Sequence, residues 1–167
     1  MIIHCTQKLA TKVPAVSDVP LVETSPLGSW HAHLYRHDRR QCVLFCHDES
    51  RYCLFLPGLV KADFAELGRL HRELFLATLA VLNLPEAKLK RVAMALGQAQ
   101  CDRKTDRSVL GSLRITDIDL SWLIHDHHVL DCDPLAVSLE LNERPTSVKG
   151  RYFWPTQVML ERVGQIN

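Results

Sequence analysis

Residues Trp30–Leu59 constrain the fold more than any other part of the chain, because their pattern is that of three consecutive β-strands. Three segments alternate or run apolar for the length of a strand: Trp30–His37, Gln41–His47 and Arg51–Pro57. Short polar turns separate them: Asp38-Arg39-Arg40 and Asp48-Glu49-Ser50. Connections this short join antiparallel neighbours. We therefore expect a β-meander here.

The next segment changes to the periodicity of helices. Apolar residues between Lys61 and Leu82 recur at i, i+3 and i+4, which predicts a helix lying on the sheet. Asp63 and Glu66 resemble a capping box at its start. A second helix is expected between Pro85, which suits a first turn, and Gly97, which suits an end.

The remaining elements are predicted from shorter signals. Asp106 or Thr105 could cap a helix reaching roughly to His125, and Asp133-Pro134 is typical of the start of a helix ending near Asn142. Further expectations are a strand at Met1–Thr6, a loop at Val13–Gly28, a possible strand at Gln98–Arg103 and a last helical turn or two from Thr156. We expect one α+β domain over residues 1–167: an antiparallel meander of four or five strands with four or five helices on one face.

Composition excludes several classes of protein. The chain has 167 residues, 47% of them hydrophobic and 23% charged, which is typical of one globular domain. A net charge of +1 provides no global field for nucleic acid or an acidic surface. No window approaches the roughly 20 apolar residues of a membrane helix, and the N-terminus has no signal-peptide core. We expect a cytoplasmic protein with reduced cysteines, no cofactor and no membrane partner.

The same Trp30–Leu59 segment is rich in potential metal ligands. His31, His33 and His37 share one face of the first strand. In one hairpin register, Cys46 lies opposite His33 and Cys42 lies opposite His37. Those two pairs are then about 13 Å apart at about 3.3 Å per residue, too far for one ion. A one-residue slip moves both cysteines to the other face. We expect no metal site, and a metal-assisted hydrolase using the three histidines is the alternative.

The start of the helix at Asp106 is the second candidate site. Free backbone N–H groups, the Arg107 side chain and the Ser108 hydroxyl could jointly hold an anion there. A capped helix, with Gly111 at a close helix crossing, is the simpler explanation of the segment. The predicted ligand-binding residues are Arg39, Arg107, Ser108 and Ser112. The favoured function is a non-catalytic binding or interaction module for a protein or an anionic ligand.

Nucleic-acid binding is a further alternative. It is suggested by a local density of basic residues, with Asp102 and Asp106 as near counter-charges: Lys88, Lys90, Arg91, Arg103, Lys104, Arg107 and Arg114. A solvated helix face explains this density as well, and no nucleic-acid-binding signature accompanies it. We therefore do not favour it.

Four segments, in this order, carry a resemblance to a known family: MIIHCTQKL, PLGSWHAHLYRHDRRQCVLF, LPGLVKADFAEL and DRSVLGSL. They resemble the uncharacterised bacterial domain-of-unknown-function family 6933. The resemblance covers about residues 1–142, and residues 143–167 are expected to be an extension packing on that core. It implies a compact α+β cytoplasmic domain of unknown activity. Some relatives are joined to a plasmid-encoded domain, which is why the nucleic-acid alternative includes plasmids and mobile elements.

Overall fold

A five-stranded sheet forms the centre of the computed structural model, which describes residues 1–166. Its strands are β1 (Ile2–Cys5), β2 (Trp30–His37), β3 (Arg40–His47), β4 (Cys53–Leu59) and β5 (Gln100–Asp102). They are ordered β4-β3-β2-β1-β5. The expected meander of β2, β3 and β4 is confirmed, and the possible strand near residue 100 is β5.

The prediction of a purely antiparallel sheet is wrong. Strand β1 is parallel to β2 on one side and to β5 on the other, so the sheet is mixed. Parallel neighbours require long connections. The chain provides them in the 24 residues between Cys5 and Trp30 and in the helical segment between β4 and β5. The α+β composition of the prediction is confirmed.

The β2–β3 hairpin closes more tightly than the sequence indicated. His37 pairs with Arg40, so only Asp38 and Arg39 form the turn, with φ of 47° and 64°. Two successive positive φ angles are typical of the type I′ turn, whose twist matches that of paired strands. This turn sets a register in which His33 lies opposite Leu44 rather than a cysteine.

Replacing Arg39 with glycine is expected to stabilise the hairpin. Arginine at φ 64° is in the left-handed region, which glycine adopts without a Cβ penalty. We expect Arg39→Gly to raise the free energy of unfolding by about 0.5–1 kcal/mol in urea titrations. Arg40→Gly, one residue into β3, is the matched control and should lower it. A loss of stability in Arg39→Gly would contradict the assigned turn.

Helices cover both faces of the sheet. They are α1 (Gln7–Ala10), α2 (Lys61–Ala65), α3 (Leu67–Val81), α4 (Glu86–Leu96), α5 (Arg107–Leu123), α6 (Pro134–Leu141) and α7 (Pro155–Gly164). A single 3-10 turn spans Val129–Asp131, and a separate hairpin joins β6 (Thr146–Val148) to β7 (Arg151–Phe153). The predicted helix ends at Gly97, Asp106 and Asp133 are confirmed.

The described residues contain seven helices rather than four or five, because α1 was not predicted and the helix expected between Lys61 and Leu82 is interrupted at Glu66. The prediction that helices cover only one face of the sheet is also wrong. On one face, Trp30 and Phe45 pack in the same core as Phe75 of α3. On the other, Leu44 and Phe55 pack with residues of α5 and α6. The central strands are apolar on both faces, so both must be covered.

Side chains occupy the hydrogen-bonding groups along the outer edge of β4. The Cys53 N–H donates to Oδ1 of Asn142 at 2.7 Å, and Nδ2 of Asn142 donates to the Cys53 carbonyl at 2.7 Å. The Phe55 N–H donates to Ser138 Oγ at 3.0 Å. At the opposite edge, the Ser17 N–H donates to the Cys101 carbonyl of β5 at 2.8 Å. Both edges are therefore partly capped from within the chain.

Candidate functional site

Three adjacent strands bring ionisable side chains into one row. The strand registers place His4 of β1 beside His31 of β2 and beside Asp102 of β5. His4 Nδ1 donates to Asp102 Oδ1 at 2.6 Å, and the two imidazole rings have centroids 4.8 Å apart. All three side chains are buried. The parallel pairing of β1 is thus what assembles this cluster.

Asp48 and the backbone of Asp106 extend the row. His31 Nδ1 donates to Asp48 Oδ1 at 2.7 Å, because its Nε2 accepts the Asp106 N–H at 2.8 Å. Asp48 Oδ2 also lies 3.8 Å from Nε2 of His4. The network therefore runs from Asp102 through both histidines to the residue that precedes α5.

Asp102 is held as a carboxylate inside the protein. Burial opposes its ionisation, but hydrogen bonds from His4 and from the N–H groups of Leu21 and Lys104 outweigh that cost, so its pKa is lowered. The sequence suggested a surface counter-charge for nearby basic residues at this position. In the structure the Asp102 carboxylate is instead buried, because β5 directs its side chain toward His4.

Paired histidine and aspartate side chains are the groups used in general acid–base catalysis. Here, however, both rings are buried, and both nitrogens of His31 are hydrogen-bonded within the protein. The arrangement ties β1, β2 and β5 to the loop that enters α5. The network therefore connects three strands of the sheet to the N-terminus of α5.

The three histidines of the metal alternative do not converge. His31 is committed to Asp48, His33 packs on the Tyr35 ring with centroids 4.3 Å apart, and His37 Nε2 donates to Asp117 at 3.1 Å. Burial lowers the pKa of His33. Among residues 1–166, no three His, Cys, Asp or Glu side chains are grouped so that they could hold a metal ion.

Asp106, the residue immediately before α5, caps the first turn of that helix. The Asp106 carboxylate accepts the N–H groups of Ser108 at 2.8 Å and Val109 at 3.0 Å. These hydrogen bonds, the one from Val109 first, lower the pKa of Asp106. Two of the backbone donors considered for an external anion are therefore already occupied. The anion hypothesis needs another donor.

Arg51 provides that donor. Only 7% of this residue is exposed, and its Nη2 donates to Ser108 Oγ at 3.0 Å. Its Nε and Nη1 are buried and have no partner among the described residues. A buried guanidinium with unused donors is energetically costly unless something pairs with it. Arg51 therefore has buried donors with which an anion near the start of α5 could be bound.

Arg51 lines a cavity of about 590 Å³ between the β3–β4 turn and the β6–β7 hairpin. Its other lining residues are Glu49, Val148, Lys149, Arg151 and Phe153. Glu49 forms an ion pair with Arg162, which leaves three cationic side chains as the dominant charges of the wall. A cavity with this charge favours an anionic occupant.

The structure brings three of the four predicted ligand-binding residues together. Arg107 and Ser108 lie on the first turn of α5, and Ser112 follows one turn later, donating to the Ser108 carbonyl at 3.3 Å. Arg39 lies at the β2–β3 turn, whereas Arg51 follows the opposite end of that hairpin. An eight-residue strand spans about 26 Å, so Arg39 is remote from the others.

Sequence reasoning missed Arg51 and the partners of His31. Arg51 looked like the first residue of a strand, yet it has φ 58° and belongs to the turn before β4. The signal available was an arginine next to a long apolar run, CLFLPGL. Asp48 and Asp102 carried no signal, because their roles depend on strand pairings between distant residues.

Fold and site together define a mixed-sheet α+β domain with helices on both faces, an internal His–Asp network and a cationic cavity. A family model described as Domain of unknown function (DUF6933) matches residues 2–158, and the chain belongs to that family. The family predicted from the sequence is thereby confirmed. The match ends within the segment 143–167 that the sequence indicated as an extension. No curated protein matches the chain significantly.

No helix in residues 1–166 is both long and apolar enough to cross a membrane.

Proposed function

We propose that the protein is a non-catalytic binding module that holds an anionic group, of the phosphate or carboxylate class, in the cavity beside Arg51. One observation carries the proposal: a guanidinium that is almost fully buried and leaves Nε and Nη1 without partners. Nε and Nη1 donate from two different edges of the planar guanidinium, and each is a charged donor suited to an oxygen of phosphate or carboxylate. Hydrogen bonds from these donors to an anion would offset the desolvation cost of the buried guanidinium.

The surroundings support an anion rather than a neutral ligand. Lys149 and Arg151 face the same cavity, and the one acidic lining residue, Glu49, already pairs with Arg162. Ser108 holds the Arg51 guanidinium at the start of α5. Arg107 is exposed on the same turn, and we include it with Ser108 and Ser112 in the proposed ligand-facing surface.

Arg39 lies at the far end of β2. It could therefore contact the same ligand only if that ligand is long, such as a protein segment. A cytoplasmic location remains part of the proposal. The metal-assisted hydrolase is the weaker alternative, because its histidines are directed to separate partners. Nucleic-acid binding would use the basic residues between Lys88 and Arg114, none of which lines this cavity, and is distinguished by length-dependent, salt-sensitive affinity.

Inorganic phosphate is the probe for this site. Titrated at constant ionic strength, it should raise the unfolding temperature of the wild-type protein with a saturable concentration dependence. Arg51→Met should abolish that response, because a linear apolar side chain fills the space without donors. Arg51→Lys should weaken phosphate binding at least about ten-fold, since it keeps the charge but loses the fork.

Arg39→Gln is the matched control, an exposed arginine that should leave phosphate binding unchanged. An equal phosphate response in wild type and Arg51→Met would refute the proposed site. Equal losses in Arg39→Gln and Arg51→Met would indicate general charge screening instead of a specific pocket.

A further inference from the structure

Helix α5 exposes a stripe of large apolar side chains. Ile115 is 63% exposed, Ile118 55% and Trp122 74%, although the opposite side of the same helix is buried against the sheet. Single exposed apolar residues are ordinary on protein surfaces, but a continuous row that includes tryptophan marks an interaction surface. This stripe is separate from the cationic cavity, and the inference drawn from it does not depend on the proposed function.

The stripe has the spacing of a helix-pairing seam. Gly111, Ile115, Ile118 and Trp122 are separated by four, three and four residues, the alternation of d and a positions in a heptad. A Cβ added at Gly111 would meet nothing within 4 Å, so this end of the stripe is open to a neighbouring helix. About three turns of such a seam on an otherwise packed domain can dock against another helix of the same pattern.

Charges beside the stripe specify the partner and its direction. In this heptad frame Arg114 occupies g and Asp119 occupies e, five residues later, which is the spacing of interhelical g–e′ ion pairs in parallel coiled coils. Arg107 and Ser112 occupy the preceding g and e positions. In an antiparallel pair, g positions would face g positions, and the two arginines of one copy would meet those of the other.

We propose that α5 mediates a parallel, two-fold symmetric dimer with a second copy of this chain. Ile115, Ile118 and Trp122 of each copy form its apolar centre, and Arg114 of each copy pairs with Asp119 of the other. Asp119 also pairs through Oδ1 with Arg144 of its own chain at 2.9 Å, and the Asp119 side chain is 34% exposed. Such an isologous contact closes on itself and produces a dimer rather than a filament.

The seam is short compared with a standard protein interface, so the dimer should dissociate on dilution. Sedimentation velocity of the full chain over a hundred-fold concentration range is expected to show a monomer–dimer equilibrium. Trp122→Lys should weaken dimerisation by at least ten-fold, because it places a charge in the apolar centre. Met94→Lys is the matched control: Met94 is 72% exposed on α4, and its replacement should leave the dimer intact.

Two further variants test the partner's direction. Arg114→Asp should weaken the dimer, and Arg114→Asp/Asp119→Arg should restore it by reversing the pair. Gly111→Cys should form an interchain disulfide when oxidised glutathione accepts the two thiol hydrogens and is reduced to glutathione, since identical positions adjoin only in the parallel arrangement. Unfolding temperatures measured in parallel verify that each variant is folded.

A wild-type protein that is monomeric throughout the concentration range would overturn the proposal, as would a dimer that Trp122→Lys leaves unchanged. A dimer that is sensitive to Trp122→Lys but forms no Gly111→Cys cross-link would overturn the parallel arrangement.

Discussion

Lowering the pH from 7.5 to 4.5 is expected to reduce the free energy of unfolding by about 5 kcal/mol, because two buried histidines stay neutral in the folded protein. Burial lowers the pKa of His71 to about 3 and that of His47 to about 4, from an ordinary value of 6.5. The unfolded chain takes up both protons first as the pH falls. Each group therefore removes about 1.36 kcal/mol per pH unit between its unfolded and folded pKa.

The surroundings of the two rings explain these shifts. The His71 ring on α3 packs against Trp30 and Phe45, with centroids 4.4 Å and 4.8 Å away, and neither of its nitrogens has a hydrogen-bond partner among the described residues. His47 Nε2 donates to the Leu27 carbonyl at 2.7 Å, and its Nδ1 accepts from Ser50. At His71 nothing offsets the cost of burying an imidazolium, and at His47 that cost outweighs the hydrogen bond to Leu27. Stability should therefore be greatest above pH 6.5.

His71→Leu separates this effect from general acid sensitivity. It removes two unsatisfied nitrogens from an apolar core, so we expect it to raise the free energy of unfolding at pH 7 and to remove about half of the acid loss. Urea titrations at intervals of half a pH unit give both quantities. His125→Gln, at an exposed position, is the control and should retain the full loss. The same pH slope in His71→Leu as in wild type would contradict the assignment.

Asp102→Ala is expected to lower the free energy of unfolding by about 3–5 kcal/mol, because removing the buried carboxylate leaves the buried His4 without its hydrogen-bond partner. The carboxylate accepts hydrogen bonds from His4 Nδ1 at 2.6 Å, from the Leu21 N–H at 2.8 Å and from the Lys104 N–H at 3.1 Å. The His4 donor would remain buried without its partner, whereas the Leu21 and Lys104 N–H groups are only partly buried. The loss is measured by urea unfolding at pH 7.

Asp18→Ala is the matched control. Asp18 pairs with Arg103 at 3.2 Å on the surface, and its removal should cost less than about 1 kcal/mol. The contribution of Asp102 also has its own pH window. Because its folded pKa is lowered, this contribution is fully present above the unfolded pKa and is lost as the pH falls through the folded pKa. If the two aspartate variants lost equal stability, Asp102 would not be the internal anchor described above.

Local signals in the sequence predicted most of the elements. The apolar alternation of β2 and β3 defines a hairpin, and Gly97, Asp106 and Asp133 lie at the helix ends they were expected to mark. These features depend on residues a few positions apart, whose preferences act before the chain packs. The same reasoning missed the two-residue turn, because Arg39 has no intrinsic preference for a positive φ.

The candidate site was only partly predictable, because its parts are distant in the chain. His4 meets Asp102 through parallel pairing of β1 and β5, 98 residues apart. Arg51 reaches Ser108 across 57 residues and only because α5 lies over β3. Ser108 and Arg107 could be identified from the capped helix start, but the buried guanidinium beside them could not.

The capped edges of the sheet decide how this protein can meet other chains. An edge strand with unpaired main-chain groups can pair with a strand of another chain. Such pairing commonly starts aggregation and domain swapping. Asn142 occupies both main-chain groups of Cys53 as a strand would, and Ser138 takes the Phe55 N–H. Asn142→Leu would leave the main-chain groups of Cys53 free to pair with a strand of another chain. We expect the native chain to resist fibril growth because one amide side chain imitates a sixth strand.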